Sequence, residues 1–188
     1  GKAPVRSEPV LSPEDAAAWT RWQIVAQRHA RTNRHTARVE QARRVVAEMI
    51  ERAPDAAVMW SGGKDSTAMT HLVCVDLGHR HLRVYSEKDD LDYPGERAYV
   101  ERLAAEWRID LHVLVPDVSP RAWVEEHRAE LVAGGDLHSR GAGLSKACCY
   151  RVVEQATAHH GGIFIGLRAE ESRGRRMNRA KRGPVYQR

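Results

Sequence analysis

One nonapeptide constrains this chain more than any other stretch: Met59-Trp60-Ser61-Gly62-Gly63-Lys64-Asp65-Ser66-Thr67. An apolar run, Ala56 to Trp60, leads into it, and a helix-compatible segment, Asp65 to Leu77, leads out. Strand, glycine turn and helix in succession aim several backbone N–H groups, and the positive end of a helix dipole, at one point. The glycines let a ligand approach the backbone with no Cβ in the way. Ser61, Ser66 and Thr67 add hydroxyls and Lys64 adds a cation, so the stretch from Trp60 to Thr67 is predicted to bind phosphate. Its spacing is neither that of the Gly-x-x-x-x-Gly-Lys loop nor that of the Gly-x-Gly-x-x-Gly turn.

With 188 residues the chain can bury a core without disulfides or metals. No run approaches the ~20 apolar residues of a membrane span, and the start lacks a leader pattern. A cytoplasmic location with no membrane partner is therefore expected. Cys74, Cys148 and Cys149 are too few and too unevenly spaced for a disulfide framework. The net charge of +5 suits a polyanionic ligand, and it suits a nucleotide and a nucleic acid equally.

Residues 1–11 carry no period. Ser12-Pro13-Glu14-Asp15 reads as a helix start, with a capping hydroxyl, a first-turn proline and first-turn acids. Asp15, Trp19, Trp22 and Ala26 share one helical face, and Val39, Ala42, Val46, Met49 and Ile50 resume the period. Two helices are predicted, which makes residues 1–54 a helical extension and 55–188 the main domain. Arg28, Arg31, Arg34, Arg38, Arg43 and Arg44 form a basic stretch, read first as a solvated face and otherwise as a patch for anions or nucleic acid. From Ala56 onward short apolar runs (Ala56–Trp60, Leu82–Tyr85, Leu111–Val115, Ile163–Ile165) alternate with helical patterns at 96–107, 123–131 and 147–158. That alternation predicts an α/β fold, a parallel sheet of four or five strands with helices on both faces. The glycine-rich segment 133–143 is read as a lid.

In a doubly wound sheet, ligands bind beyond the carboxyl ends of the strands. Those ends carry Ser61–Ser66, Ser86–Asp92 and Gly166-Leu167-Arg168-Ala169-Glu170-Glu171-Ser172-Arg173. Arginine suits phosphate because its guanidinium donates two parallel hydrogen bonds. The acidic run Asp89, Asp90, Asp92 divides between turn chemistry and contact with substrate or Mg²⁺. Trp60 is read as a flank for a base, whereas the other tryptophans are read as core.

These segments carry a resemblance. Ser61-Gly62-Gly63-Lys64-Asp65-Ser66 resembles the SGGxDS signature of the PP-loop ATP pyrophosphatases. Gly166-Leu167-Arg168-x-x-Glu171-Ser172-x-x-Arg175 resembles the arginine motif of the phosphoadenosine phosphosulfate reductase branch. Val84-Tyr85-Ser86-Glu87, Asp92-Tyr93-Pro94-Gly95-Glu96 and Cys148-Cys149-Tyr150-Arg151 are similar to its base, substrate and Cys-Cys-x-x-basic segments. The resemblance runs from about residue 56 to the end. It implies a Rossmann-like, doubly wound, mainly parallel sheet in the order 3-2-1-4-5, with an adenine nucleotide in the loop. Its implied nucleotide-binding residues are Trp60, Ser61, Gly62, Gly63, Lys64, Asp65, Ser66, Thr67, Tyr85, Ser86, Gly166, Leu167 and Arg168. Those implied for substrate are Asp92, Tyr93, Lys146, Arg151, Glu171, Ser172 and Arg175. Lys64, Asp65, Arg168 and Arg173 are the catalytic candidates, and Asp65 the Mg²⁺ contact.

The reaction so implied is ATP cleavage between the α- and β-phosphates, with adenylylation of an unidentified acceptor, release of pyrophosphate and a place in sulfur metabolism or sulfur transfer. Retention of Gly62-Gly63-Lys64-Asp65 favours ATP. A sulfonucleotide reductase is the alternative. It needs a nucleophilic cysteine in a tail beyond the arginine motif. The family usually continues past that motif, and Gly183-Pro184-Val185-Tyr186 resembles the start of the continuation, so either a trimmed chain or a shortened member of the family is expected. A nucleotide-sensing or nucleic-acid-associated module without turnover is the third reading, and oligomers are compatible with each. Three cysteines cannot supply the four thiolates of an iron–sulfur cluster, so none is expected. The position of Cys148 and Cys149 after Gly143-Leu144-Ser145 suggests a helix start that lowers a thiol pKa and leaves at least one thiol reactive.

Overall fold

The computed structural model describes residues 12–133, 143–144, 148, 150–167 and 172–185. The expected lid, apart from its end residues, lies outside them. The chain divides into two compact units, Gly1–Arg44 and Val45–Arg188. The helix start at Ser12 forms as its residue types dictate. Ser12 Oγ accepts a hydrogen bond from the Asp15 N–H (3.1 Å) ahead of α1, Pro13–Ala30. No residue of α1 is buried, and Trp19 and Trp22 are exposed instead of serving a core. Helix α2, Asn33–Arg52, runs across the division at Arg44. Among the described residues no helix is long and apolar enough to cross a membrane.

The second unit is built on four parallel strands: β1 Ala57–Met59, β2 Val84–Glu87, β3 Leu111–Leu114 and β4 Ile163–Ile165. Their order is β3-β2-β1-β4, which matches the first four places of the expected 3-2-1-4-5 sheet; no fifth strand lies among the described residues. Val58 is in register with Val84 on one side and Phe164 on the other. That row meets Val73, Cys74, Val100 and Ala104 in one core cluster, which Val46 of α2 joins.

The connections are helical. Lys64–Thr70 forms α3, and the same helix continues as His71–Asp76 in π geometry, closing with the Leu77 N–H donating to Leu72 O at 3.0 Å. Then come α4 Glu96–Trp107, α5 Pro120–Glu126, α6 Arg128–Val132, α7 Arg151–Thr157 and α8 Arg173–Arg182. The single helical pattern predicted over 123–131 is broken at His127, whose ring stacks on Trp123 (4.0 Å between centroids) and whose Nδ1 bonds the Trp123 carbonyl. Because all four strands point the same way, the segments after Met59, Glu87, Leu114 and Ile165 emerge at one end of the sheet. That is where a ligand of such a fold is bound.

Candidate functional site

The turn after β1 is held by its own hydroxyls. The Gly63 N–H donates to Ser61 Oγ (3.4 Å), the Ser61 and Ser66 hydroxyls lie 2.9 Å apart, and Ser66 Oγ donates to the Gly63 carbonyl (3.0 Å). Ser66 therefore spends its proton on Gly63, so the bond between the two hydroxyls is donated by Ser61. Thr67 Oγ1 donates to Gly62 O (3.3 Å) and accepts from Trp60 Nε1 (2.9 Å). These hydroxyls, expected to face a ligand, instead build the loop. Gly62 has φ +87°, in the region that favours glycine, and a Cβ there would stand 3.1 Å from Glu96 Oε1 and from Val100 Cγ2. Gly63 differs: its φ is −68° and a Cβ would meet only Ser61 Oγ, at 3.5 Å. It occupies the N-cap of α3 without bringing a side chain to the first-turn amides. An uncapped helix start carries N–H donors and partial positive charge, which is the requirement for an anion site. Lys64 extends beside it, 75% exposed, with Nζ 3.0 Å from Asp65 Oδ2.

Two other segments pin this loop. Gly166, just past β4, lies against the start of α3 so closely that a Cβ would be 2.7 Å from Ser66 Cα and 2.9 Å from Ser66 N. Lys88, just past β2, is 4% exposed. Its ammonium donates to the Ser61 carbonyl (2.9 Å) and to Glu96 Oε1 (2.6 Å), with Asp92 Oδ2 at 3.8 Å. Buried cations are rare and need partners, and Lys88 has them. Sequence reasoning misses this residue because lysine is by default a surface residue. The available signal was a single cation within the acids Glu87, Asp89, Asp90 and Asp92.

Several predicted site residues fall elsewhere. Trp60 is 1% exposed and stacks on Trp107 in the core (5.5 Å), so its ring cannot flank a base; it steadies Thr67. Tyr85 is also buried, and its hydroxyl bonds His160 Nε2 at 3.0 Å. His160 Nδ1 lies 2.7 Å from the Asp55 carbonyl, to which it must donate, so in the neutral ring Nε2 accepts from the Tyr85 hydroxyl. Asp55 and His160 precede β1 and β4, which puts the Tyr85 hydroxyl toward the end of the sheet opposite the loop. Ser86 is fully buried, with no partner for Oγ among the described residues. Asp92 accepts from the Asp89 N–H (3.0 Å) and faces Lys88, so its carboxylate shapes the β2–α4 turn. Asp90 receives the Ser119 hydroxyl and the Arg121 N–H (3.2 Å). The Ser119 bond, first among several causes, lowers its pKa.

Tyr93 and Leu167 are exposed near the site, Ser172 caps α8 by accepting from the Arg175 N–H (3.1 Å), and Arg173, Arg175 and Arg151 lie on exposed helix surface. Arg168, Glu171, Lys146 and Cys149 lie outside the described residues. Of the two thiols, at least one of which is expected to be reactive, Cys148 is buried and Cys149 lies outside the described residues. Burial, with the charges of Asp89, Asp90 and Glu87 added, pushes the Cys148 pKa up, because both disfavour the thiolate. An open cavity of about 550 Å³ borders the loop on its α4 side, lined by Gly62, Lys64, Thr67, His71, Tyr99 and Trp107.

Residues 55–182 match the family model described as "Phosphoadenosine phosphosulfate reductase domain". No curated protein matches the chain. Among solved structures, the chain is similar to an NH3-dependent NAD synthetase from Campylobacter jejuni determined in complex with the nitrate ion, at 12% identity and a TM-score of 0.51. The match covers 71% of this chain and 56% of that protein, and at such identity the likeness is one of fold.

Proposed function

The chain belongs to the phosphoadenosine phosphosulfate reductase domain family, and from that premise we propose that it binds ATP at the Ser61–Ser66 loop and cleaves it between the α- and β-phosphates. An acceptor is adenylylated and pyrophosphate leaves. We assign this work to residues 55–188, with 1–54 as a helical extension. The observation that carries the reading is the uncapped start of α3 behind Gly62 and Gly63, with Lys64 exposed beside it. Backbone amides there would receive the departing phosphates, and their preorganised dipoles favour charge that builds as the bond to the α-phosphate breaks. Lys64 offsets part of that charge. Arg168, from the arginine motif, and Arg173, from the same segment off the end of β4, are assigned the same role, with Glu171 and Arg175 holding the acceptor.

Mg²⁺ fits this arrangement in one way. Among the described residues no three His, Cys, Asp or Glu side chains come together as a metal site. Magnesium at a nucleotide site needs only one or two carboxylates, because phosphate oxygens and water complete its shell, and Asp65 in the first turn of α3 supplies one. Bound there, the ion would neutralise phosphate charge.

The test is a parallel titration of the protein with ATP, phosphoadenosine phosphosulfate and adenylyl sulfate, with pyrophosphate release followed in the ATP arm. Tight ATP binding with pyrophosphate release bears out the proposal. Preference for either sulfonucleotide would move the chain to a reductase-type substrate, and failure to bind any of the three would remove the nucleotide reading.

A further inference from the structure

We propose that α8, through Arg176, Arg179, Lys181 and Arg182, is a nucleic-acid-binding surface that takes the phosphate backbone of a DNA or RNA strand. Arg173 and Arg175, assigned above to the nucleotide and the acceptor, are not needed for it, and the role does not depend on ATP binding. The ten residues of α8 include Arg173, Arg175, Arg176, Arg179, Lys181 and Arg182 and no acid, and every residue of the helix is exposed. The chain as a whole carries +5, so the rest of the sequence nets −1 (+5 − 6). A solvating surface mixes both signs; α8 does not. Its charges also sit where a lone helix would not place them. Arg173 in the first turn opposes the helix dipole, and Arg173/Arg176 and Arg176/Arg179 are like-charge pairs at i,i+3, each unfavourable by a few tenths of a kcal/mol. Bound phosphates would relieve these repulsions. At about 1.5 Å per residue the helix is about 15 Å long, the length of roughly four phosphates of one strand at about 3.4 Å each.

Anionic lipid is the competing polyanion, and the composition of α8 argues against it. A helix lying in a membrane interface needs an apolar face, and Met177 is the one large apolar residue in α8. The chain leaves β4 at the same sheet end as the phosphate loop, so a strand held on α8 would be tethered close to it.

The test is fluorescence anisotropy with short labelled single-stranded DNA, the same sequence as RNA, and the DNA duplex, each over a salt series. The variant Arg176→Glu/Arg179→Glu/Lys181→Glu leaves the loop intact, and circular dichroism checks its fold. The parent should bind at least one of the three. The variant should bind at least about tenfold more weakly, and its log–log salt dependence should be shallower by about two to three, the counterion release of three cations. Its ATP titration should match the parent's; if neither protein binds ATP, the nucleotide reading falls and this inference stands. A parent that binds no oligonucleotide overturns it, as does a variant with unchanged affinity and slope. So does stronger binding to phosphatidylserine vesicles than to the oligonucleotides. Arg28→Glu/Arg31→Glu/Arg34→Glu is the comparator: loss confined to that variant would move the surface to the amino-terminal helices and overturn the assignment to α8.

Discussion

Lys88→Met keeps the side-chain length and deletes the ammonium, and the structure indicates what that should cost. Left behind are the Glu96 and Asp92 carboxylates, with side chains 23% and 29% exposed, and a Ser61 carbonyl without its donor. Removing one member of a fully buried ion pair costs about 3–5 kcal/mol. Water reaches both carboxylates here, so the figure is discounted to about 2–3 kcal/mol. At this chain length that corresponds to a melting point lower by about 4–12 °C. Two effects are mixed in that number, lost stability and a released loop, and Lys88→Met/Glu96→Gln separates them. With the opposing charge neutralised, the double variant should recover most of the stability. It should not recover ATP affinity, lowered about tenfold in both proteins, because the Ser61 carbonyl is still unheld and 1.4 kcal/mol of binding is enough for that factor. Melting curves and ATP titrations of parent, single and double variants decide the matter. A double variant that binds ATP like the parent would refute the positioning role and leave Lys88 as a neutraliser of Glu96. A single variant indistinguishable from the parent in both assays would refute the whole account.

The two loop glycines should separate in the same assays. Gly62→Ala should cost about 1–3 kcal/mol of stability, since φ +87° is strained for alanine, whereas Gly63→Ala should fold normally and weaken ATP, its Cβ obstructing only a ligand. Gly166→Ala forces a Cβ to within 2.7 Å of Ser66 Cα, so it should displace the start of α3 and lower ATP affinity more than stability, read by titration and melting together. The pKa of Cys74 is raised from 9.0 to about 11, first by burial and against the pull of Arg80. The folded state then holds a proton that the unfolded chain releases, and the stability this contributes is complete below pH 9 and lost by about pH 11. Cys74→Ala should flatten that part of the stability-against-pH curve relative to the parent; equal slopes would refute it. Cys148 should resist alkylation at pH 8 until the protein is denatured, which thiol mapping by mass spectrometry would show.

The sheet was legible because its signals are local. Ala56–Trp60 and Ile163–Ile165 are apolar runs between turn residues, and β1 and β4 form inside them. The turn between β1 and α3 was legible because a glycine pair after a strand leaves few alternatives. What stayed hidden depended on direction. Tyr85 and Ser86 are neighbours in β2, and the pleat sends the Tyr85 hydroxyl to His160, seventy-five positions on, a pairing no local pattern encodes. Trp60 sits beside the loop in sequence, yet strand alternation turns its ring to the Val58 side and into the core. Lys88 was hidden by its residue type, since only the convergence of Ser61 and Glu96 on one ammonium makes a buried lysine tolerable. The hydroxyls of Ser61 and Ser66 were assigned to a ligand because their mutual bond closes only once Gly62 has turned the chain.

The position of β1 within the sheet bears on how the protein emerges from the ribosome. Met59 pairs with Tyr85, 26 positions later, and with Ile165, 106 positions later. Its β2 side can close early, while its β4 side stays an open strand edge until 78 further residues beyond Glu87 have been made (165 − 87). At about 5–20 residues per second that interval is about 4–16 s. Throughout it, Ser66 lacks the Gly166 backbone that later packs against it, so the loop is translated long before it is braced. An unpaired parallel edge is a template for other chains, and the nascent protein is accordingly exposed to mispairing along β1 until β4 arrives.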